Sequence, residues 1–131
     1  MFLIDNSAWI EYLRPNGSLT VKEKVRDVLK KEEAVTCGIV IVELLRGTQD
    51  KNSYQALAEY LCALPQIPMD ESVILRAAEW GFSMDKRLKK IPTTDLFIGA
   101  SAYNYRAIVL HCDTDFELLD TAFGLRQEKC R

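Results

Sequence analysis

Five carboxylates stand where this sequence is otherwise apolar. Asp5 closes the run Phe2-Leu3-Ile4, and Asp113 and Asp115 follow Ala107-Ile108-Val109-Leu110-His111-Cys112. Asp95 opens Leu96-Phe97-Ile98-Gly99-Ala100-Ser101-Ala102, and Glu43 is the only charge in residues 39–45. Each has a structural excuse. Asp5 can cap the helix that follows it, Asp95 can complement a helix dipole, and Glu43 can pair with Arg46 three residues on. Jointly the excuses fail. An unpaired charge beside a core is costly, and no lysine or arginine lies between Pro92 and Tyr105 to neutralise Asp95. A bound cation is the natural partner for acids placed in this way. Oxygen donors without histidine or cysteine favour Mg²⁺ or Mn²⁺ over zinc. Carboxylates holding one or two such ions suit phosphoryl chemistry, in which the ion activates water and offsets charge on phosphate oxygens.

Other catalytic plans are poorly served. The chain has no G-x-S-x-G, no P-loop and no G-x-G-x-x-G. Its single histidine, His111, sits inside an apolar run and reads as a core residue rather than a general base. The four cysteines (Cys37, Cys62, Cys112 and Cys130) form no CxxC pair and read as reduced thiols of a cytoplasmic protein.

Strand and helix signals alternate along the chain. Phe2-Leu3-Ile4 suits a buried strand, and Asn6-Ser7 supplies cap chemistry for a helix running to Leu13. Ser18 opens a second helix, Ala34-Val35-Thr36-Cys37 is β-prone, and a short buried helix carrying Glu43 ends at Gly47. Residues 52–63 are helical. Asp70 then caps a long amphipathic helix whose core face is expected to hold Val73, Ile74, Ala77, Ala78, Gly81, Phe82 and Leu88. Thr93 or Thr94 is the expected N-cap of the Asp95 helix. Residues 107–112 suit a central strand, and the tail from Glu117 is expected to be a short helix with a ragged end. Alternating strands and helices fit an open α/β arrangement, in which ligands bind at the carboxyl ends of the strands.

At 131 residues the chain suits a single domain over residues 1–131. With 48% hydrophobic and 27% charged residues it has an ordinary globular composition. No stretch approaches the roughly 18 apolar residues of a membrane span, and the start lacks a basic n-region, so neither membrane nor signal peptide is expected. A net charge of −2 does not advertise nucleic-acid binding. The run Lys86-Arg87-Leu88-Lys89-Lys90 reads by itself as a solvated helix end.

Four segments carry a family resemblance. Asp5-Asn6-Ser7-Ala8-Trp9-Ile10, Val42-Glu43-Leu44-Leu45-Arg46-Gly47, Thr94-Asp95-Leu96-Phe97-Ile98-Gly99-Ala100 and Cys112-Asp113-Thr114-Asp115-Phe116 resemble the four motifs of the PIN domain. The similarity is greatest to the VapC toxins of toxin–antitoxin pairs. It spans Asp5 to Phe116, and four weak motifs in the right order are far more specific than any one. The resemblance implies a PIN-like α/β fold, a parallel sheet flanked by helices, in which Asp5, Glu43, Asp95 and Asp113 bind metal and Asp115 assists catalysis through water. Ser7 and Thr94 are implied as hydroxyls behind the ligands. Asn6 departs mildly from the small residue or threonine common at its position. The family implies a Mg²⁺-dependent endoribonuclease that dimerises and is silenced by a cognate VapB-like antitoxin. On that account Arg46, Lys86, Arg87, Lys89 and Lys90 are candidates to guide RNA phosphates. The alternatives are a metal-dependent phosphatase acting on small phosphoesters, and a non-enzymatic receiver-like signalling domain. The first normally carries a second aspartate two residues after the first, where Ser7 stands here. The second wants a neighbouring acid pair after the first strand, where Asn6 fits badly.

Overall fold

The computed structural model describes residues 1–130. In chain order the elements are β1 (Phe2–Ile4), α1 (Asn6–Leu13), α2 (Leu19–Lys30), β2 (Ala34–Val35), α3 (Gly38–Arg46) and α4 (Lys51–Cys62). They continue with α5 (Glu71–Lys86), α6 (Thr93–Asn104), β3 (Ile108–His111), α7 (Thr114–Phe123) and β4 (Gln127–Lys129). The strands form one parallel sheet in the order β2-β1-β3-β4. Leu3, Ile4, Val109 and Leu110 are fully buried, which is why β1 and β3 read as unbroken apolar runs rather than alternating ones. The register sets Ile4 beside Leu110, so the two strands end together. One hydrophobic core joins the sheet to its helices.

Several helix starts follow the expected chemistry, with side chains accepting from orphan amides of the first turn. Ser18 accepts from the amide of Val21, Asp50 from that of Ser53, and Asp70 from that of Val73. Two expected caps are corrected. Asp5, not Asn6 or Ser7, caps α1. The cap position of α6 is Pro92, without a side-chain bond, so neither Thr93 nor Thr94 caps that helix. Proline there fixes φ for helix entry and has no amide to leave unsatisfied. Asp95 lies in the first turn, as expected.

The buried face of α5 also differs from its expected composition. Val73, Ala77, Trp80 and Met84 face the core, whereas Ile74 is half exposed and Phe82 is 68% exposed. Spacings of four, three and four residues define this stripe, and it is rotated from the one expected. Trp80 stacks on Phe123 at 4.8 Å and meets Tyr103 edge-on at 5.3 Å. Leu88 lies past the end of α5, with φ of 58° and 93% exposure, because the helix stops at Lys86. The tail differs too. Gly124, at φ 78°, ends α7 in the left-handed region, and the chain returns as β4 along the edge of the sheet. Gln127-Glu128-Lys129 is short and polar, as edge strands often are, and carries no strand signal in sequence.

These placements predict unequal losses on truncation. Trp80→Ala should lower unfolding stability by about 3–5 kcal/mol. At concentrations where the protein is monomeric, Phe82→Ala should stay within about 0.5 kcal/mol of wild type. Urea denaturation of both variants checks the assignment of the α5 core face.

Candidate metal centre

Strand order reverses at β1, with β2 on one side and β3 on the other. In parallel α/β sheets such a reversal opens a crevice past the strand ends, where ligands bind. Asp5 and Asp113 are the residues at those ends. The Asp5 amide donates to the carbonyl of Leu110 at 2.9 Å, fastening the two ends together. The Asp5 carboxylate accepts from the amide of Ser7 at 3.0 Å and its hydroxyl at 2.6 Å, all on Oδ2. The same Ser7 hydroxyl accepts from the amide of Cys112 at 2.9 Å. Ser7 therefore ties a β1 acid to the end of β3. Asp113 caps α7, its Oδ1 accepting from the amide of Asp115 at 3.0 Å.

The other acids arrive on helices. The three residues Tyr105–Ala107 join α6 to β3, a short turn that returns the chain so that the start of α6 lies near the strand ends. Asp95, third in that helix, is 9% exposed. Glu43 is partly buried on α3, which packs against both α1 and α6. Oxygens of Asp95, Asp113 and Asp115 lie within 4.8 Å of one another. Asp5 and Glu43 fall outside that triangle but remain in electrostatic reach. Asp5 feels the charge of Asp113, and Glu43 feels that of Asp5. None of the five acids forms an ion pair among the described residues.

That crowding perturbs ionisation. Burial, a side-chain hydrogen bond with Asp115 and the charges of Asp5, Asp113 and Asp115 push the Asp95 carboxyl up to about 8. Burial raises Asp5 against the opposing hydrogen bonds from Ser7, and Asp113 adds to the rise. Burial raises Glu43 first and the charge of Asp5 second, with Arg46 pulling the other way. Arg46 thus eases Glu43 without forming an ion pair with it. Burial also raises the Cys37 thiol, with Asp5 and Glu43 contributing. Every acidic donor here is a carboxylate oxygen, the ligand type of Mg²⁺ and Mn²⁺, and the uncompensated charge is what a divalent cation would neutralise.

Thr94 is half exposed and makes no side-chain hydrogen bond among the described residues. Lys86, Arg87, Lys89 and Lys90 are exposed around the turn that leads into α6, at the same end of that helix as Asp95. Arg46 is exposed at the end of α3. Two neighbours of the site were not singled out as such from sequence. Cys37, the N-terminal cap residue of α3, is buried beside Asp5 and Glu43. His111, fully buried, accepts from the amide of Asp113 at 3.0 Å. A lone histidine in an apolar strand next to an acid was the one available signal for the second.

Fold and site together define a class: a parallel α/β domain whose strand ends present a carboxylate crevice suited to a hard divalent cation. Comparison with known proteins narrows it. The PIN domain family matches residues 2–122. VapC ribonuclease Mb1587 of Mycobacterium bovis and ribonuclease VapC11 of Mycobacterium tuberculosis are each 33% identical, over the whole of this chain and of theirs. Among solved structures, DNA-bound VapBC from Salmonella typhimurium superposes with a TM-score of 0.80 at 17% identity, covering 99% of this chain and 98% of that one. The chain belongs to the PIN-domain family, on its VapC branch.

The perturbed carboxyls set a testable pH dependence. A folded pKa raised from the ordinary 3.8 to about 8 means that Asp95 favours folding when protonated. Its contribution is full below about 4 and is lost progressively as pH rises to about 8. Metal-free protein should therefore melt lower as pH rises through this window. Asp95→Asn keeps the shape without the charge, so it should flatten the slope and stabilise the metal-free protein at neutral pH by about 1 kcal/mol or more. Thermal melts in EDTA across the window check both effects.

Proposed function

We propose that this protein is a metal-dependent endoribonuclease and the toxin of a toxin–antitoxin pair. The observation that carries the reading is the group of unpaired acids at the strand ends, three of them with oxygens within 4.8 Å. The relatives named as VapC ribonucleases support the activity. On this reading Asp5, Glu43, Asp95 and Asp113 hold Mg²⁺, or Mn²⁺ in its place. The bound cation supplies an acidified water and charge neutralisation on the phosphate.

The remaining roles belong to the chain itself. Ser7 holds the Asp5 carboxylate through two hydrogen bonds. Asp95, whose carboxyl is raised by burial and by neighbouring acids, would be a ligand of the cation, and Asp115, hydrogen bonded to Asp95, would stand beside that ligand as an acceptor. Lys86, Arg87, Lys89 and Lys90 draw the RNA backbone toward the same end of α6, with Arg46 beside Glu43. His111 is fully buried and bonded through both ring nitrogens, so no imidazole is free to activate a ribose 2′-hydroxyl. On this reading water is the nucleophile, activated by the cation.

The partner belongs to the same proposal. A cleft of about 970 Å³ between α1, α3 and α4 is lined by Ile10, Leu13, Leu44, Leu57 and Tyr60 and reaches Glu43. It suits the apolar face of an antitoxin segment, with an arginine reaching the acids, since a guanidinium pairs bidentately with carboxylate. The VapBC complex of like fold supports a VapB-like antitoxin. Ile74, Leu75 and Phe82 leave an exposed apolar stripe on α5, which suits pairing as a homodimer.

Cleavage of structured RNA in Mg²⁺ should leave a 5′-phosphate and a 3′-hydroxyl, stop in EDTA, and disappear in Asp95→Asn while that variant remains folded. End-group analysis by mass spectrometry, with a melt of the variant, is the test. A 2′,3′-cyclic phosphate, EDTA-resistant cleavage or an active Asp95→Asn would reject the mechanism.

A further inference from the structure

Among the described residues His111 is the one fully buried charged-type side chain outside the acid group, and the mechanism above leaves it idle. Its hydrogen bonds do not fit an idle residue. Imidazole Nδ1 accepts from the backbone amide of Asp113 at 3.0 Å. Accepting at Nδ1 places the ring proton on Nε2, which donates to Oε1 of Gln127 at 2.6 Å. The amide nitrogen of Gln127 donates in turn to Oδ2 of Asp120 at 2.8 Å. The Phe116 ring lies 5.0 Å away, so both the plane and the tautomer of the imidazole are set by its surroundings.

We infer that His111, oriented by Gln127 and Asp120, is a positioning residue that sets Asp113 for metal binding. Asp113 is gripped from two sides. Its amide is held by the imidazole, and its Oδ1 accepts from the amide of Asp115. That leaves Oδ2 as the oxygen free to face a cation. The chain of bonds also gives β4 a role. His111 pairs in register with Lys129, which puts Gln127, two residues earlier on β4, on the same sheet face as the imidazole. Asp120 comes from α7, the helix that Asp113 itself caps. The inference rests on the metal-centre reading and adds to it the residues that fix one ligand. Partners lying behind metal ligands commonly change affinity by about 10–100-fold when removed.

The test is Mn²⁺ affinity, read by electron paramagnetic resonance on protein shown by circular dichroism to be folded. His111→Leu removes the acceptor and should weaken Mn²⁺ binding about tenfold or more. His111→Asn can place its Oδ1 near the position of Nδ1 and should bind Mn²⁺ close to wild type. A purely packing role predicts the reverse, since Leu fills the site better than Asn. Folded His111→Leu with wild-type affinity, or His111→Asn as weak as His111→Leu, would overturn the inference. If His111→Leu does not fold, Gln127→Met decides, because it frees the imidazole while keeping it: weaker Mn²⁺ binding supports the role and unchanged binding overturns it. Asp95→Asn in the same titration separates the two levels. Unchanged binding there removes the metal centre, and the role of His111 with it. Loss there beside unchanged binding in His111→Leu removes the role of His111 alone.

Discussion

Like charges crowded at the end of a sheet, with no side-chain cation to balance them, are the constraint on which the rest of this structure depends. The fold does pair buried acids when their role is structural. Glu11 is buried on α1, and its carboxylate meets Arg14 at 2.5 Å and the amide of Ser18 at 3.2 Å. Asp5 and Asp95 are buried to a similar degree and form no ion pair among the described residues. Removing a carboxylate from water without compensation costs several kcal/mol or forces it to hold a proton. Asp95 does the second, its carboxyl pushed up to about 8 while hydrogen bonded to Asp115. On this account the arrangement weakens the metal-free fold at neutral pH, and a bound cation offsets that cost.

The scaffold supplies that arrangement largely from backbone groups. Asp5 and Asp113 each end a parallel strand and cap the next helix, so one oxygen of each is fixed by an amide of a first helical turn. A strand-to-helix junction thus aims a carboxylate into the crevice by the chemistry that starts helices elsewhere in the chain. Ser7 links the two junctions through the amide of Cys112. β4, only three residues long, carries Gln127 to His111 and so extends the support of Asp113 to the edge of the sheet.

Much of this was legible in the sequence. β1 and β3 lie inside the parallel sheet and are apolar but for His111, so their ends, and the acids at those ends, could be read directly. The short helix carrying Glu43 was readable because one charge interrupted an apolar run closed by glycine. What was not legible depended on packing across the chain. Trp80, rather than Phe82, packs inward on α5 against the Phe123 and Tyr103 rings, which are distant in sequence. β4 was missed because three polar residues form a strand only when β3 offers its edge. His111 was placed in the core correctly, but its bond to the Asp113 amide follows from rotamer and register, which spacing does not encode. The resemblance to the PIN domain and the match over residues 2–122 agree on the family.

The central claim is that the acids at the strand ends converge to hold a divalent cation. The most direct measurement is an anomalous difference map from crystals soaked in Mn²⁺, since the signal locates the ion independently of any activity. The account predicts a peak with carboxylate oxygens of Asp95 and Asp113 at about 2 Å and with Asp5 on the same side of the crevice. A peak held by other residues, or an empty crevice at Mn²⁺ concentrations that raise the melting temperature, would contradict it.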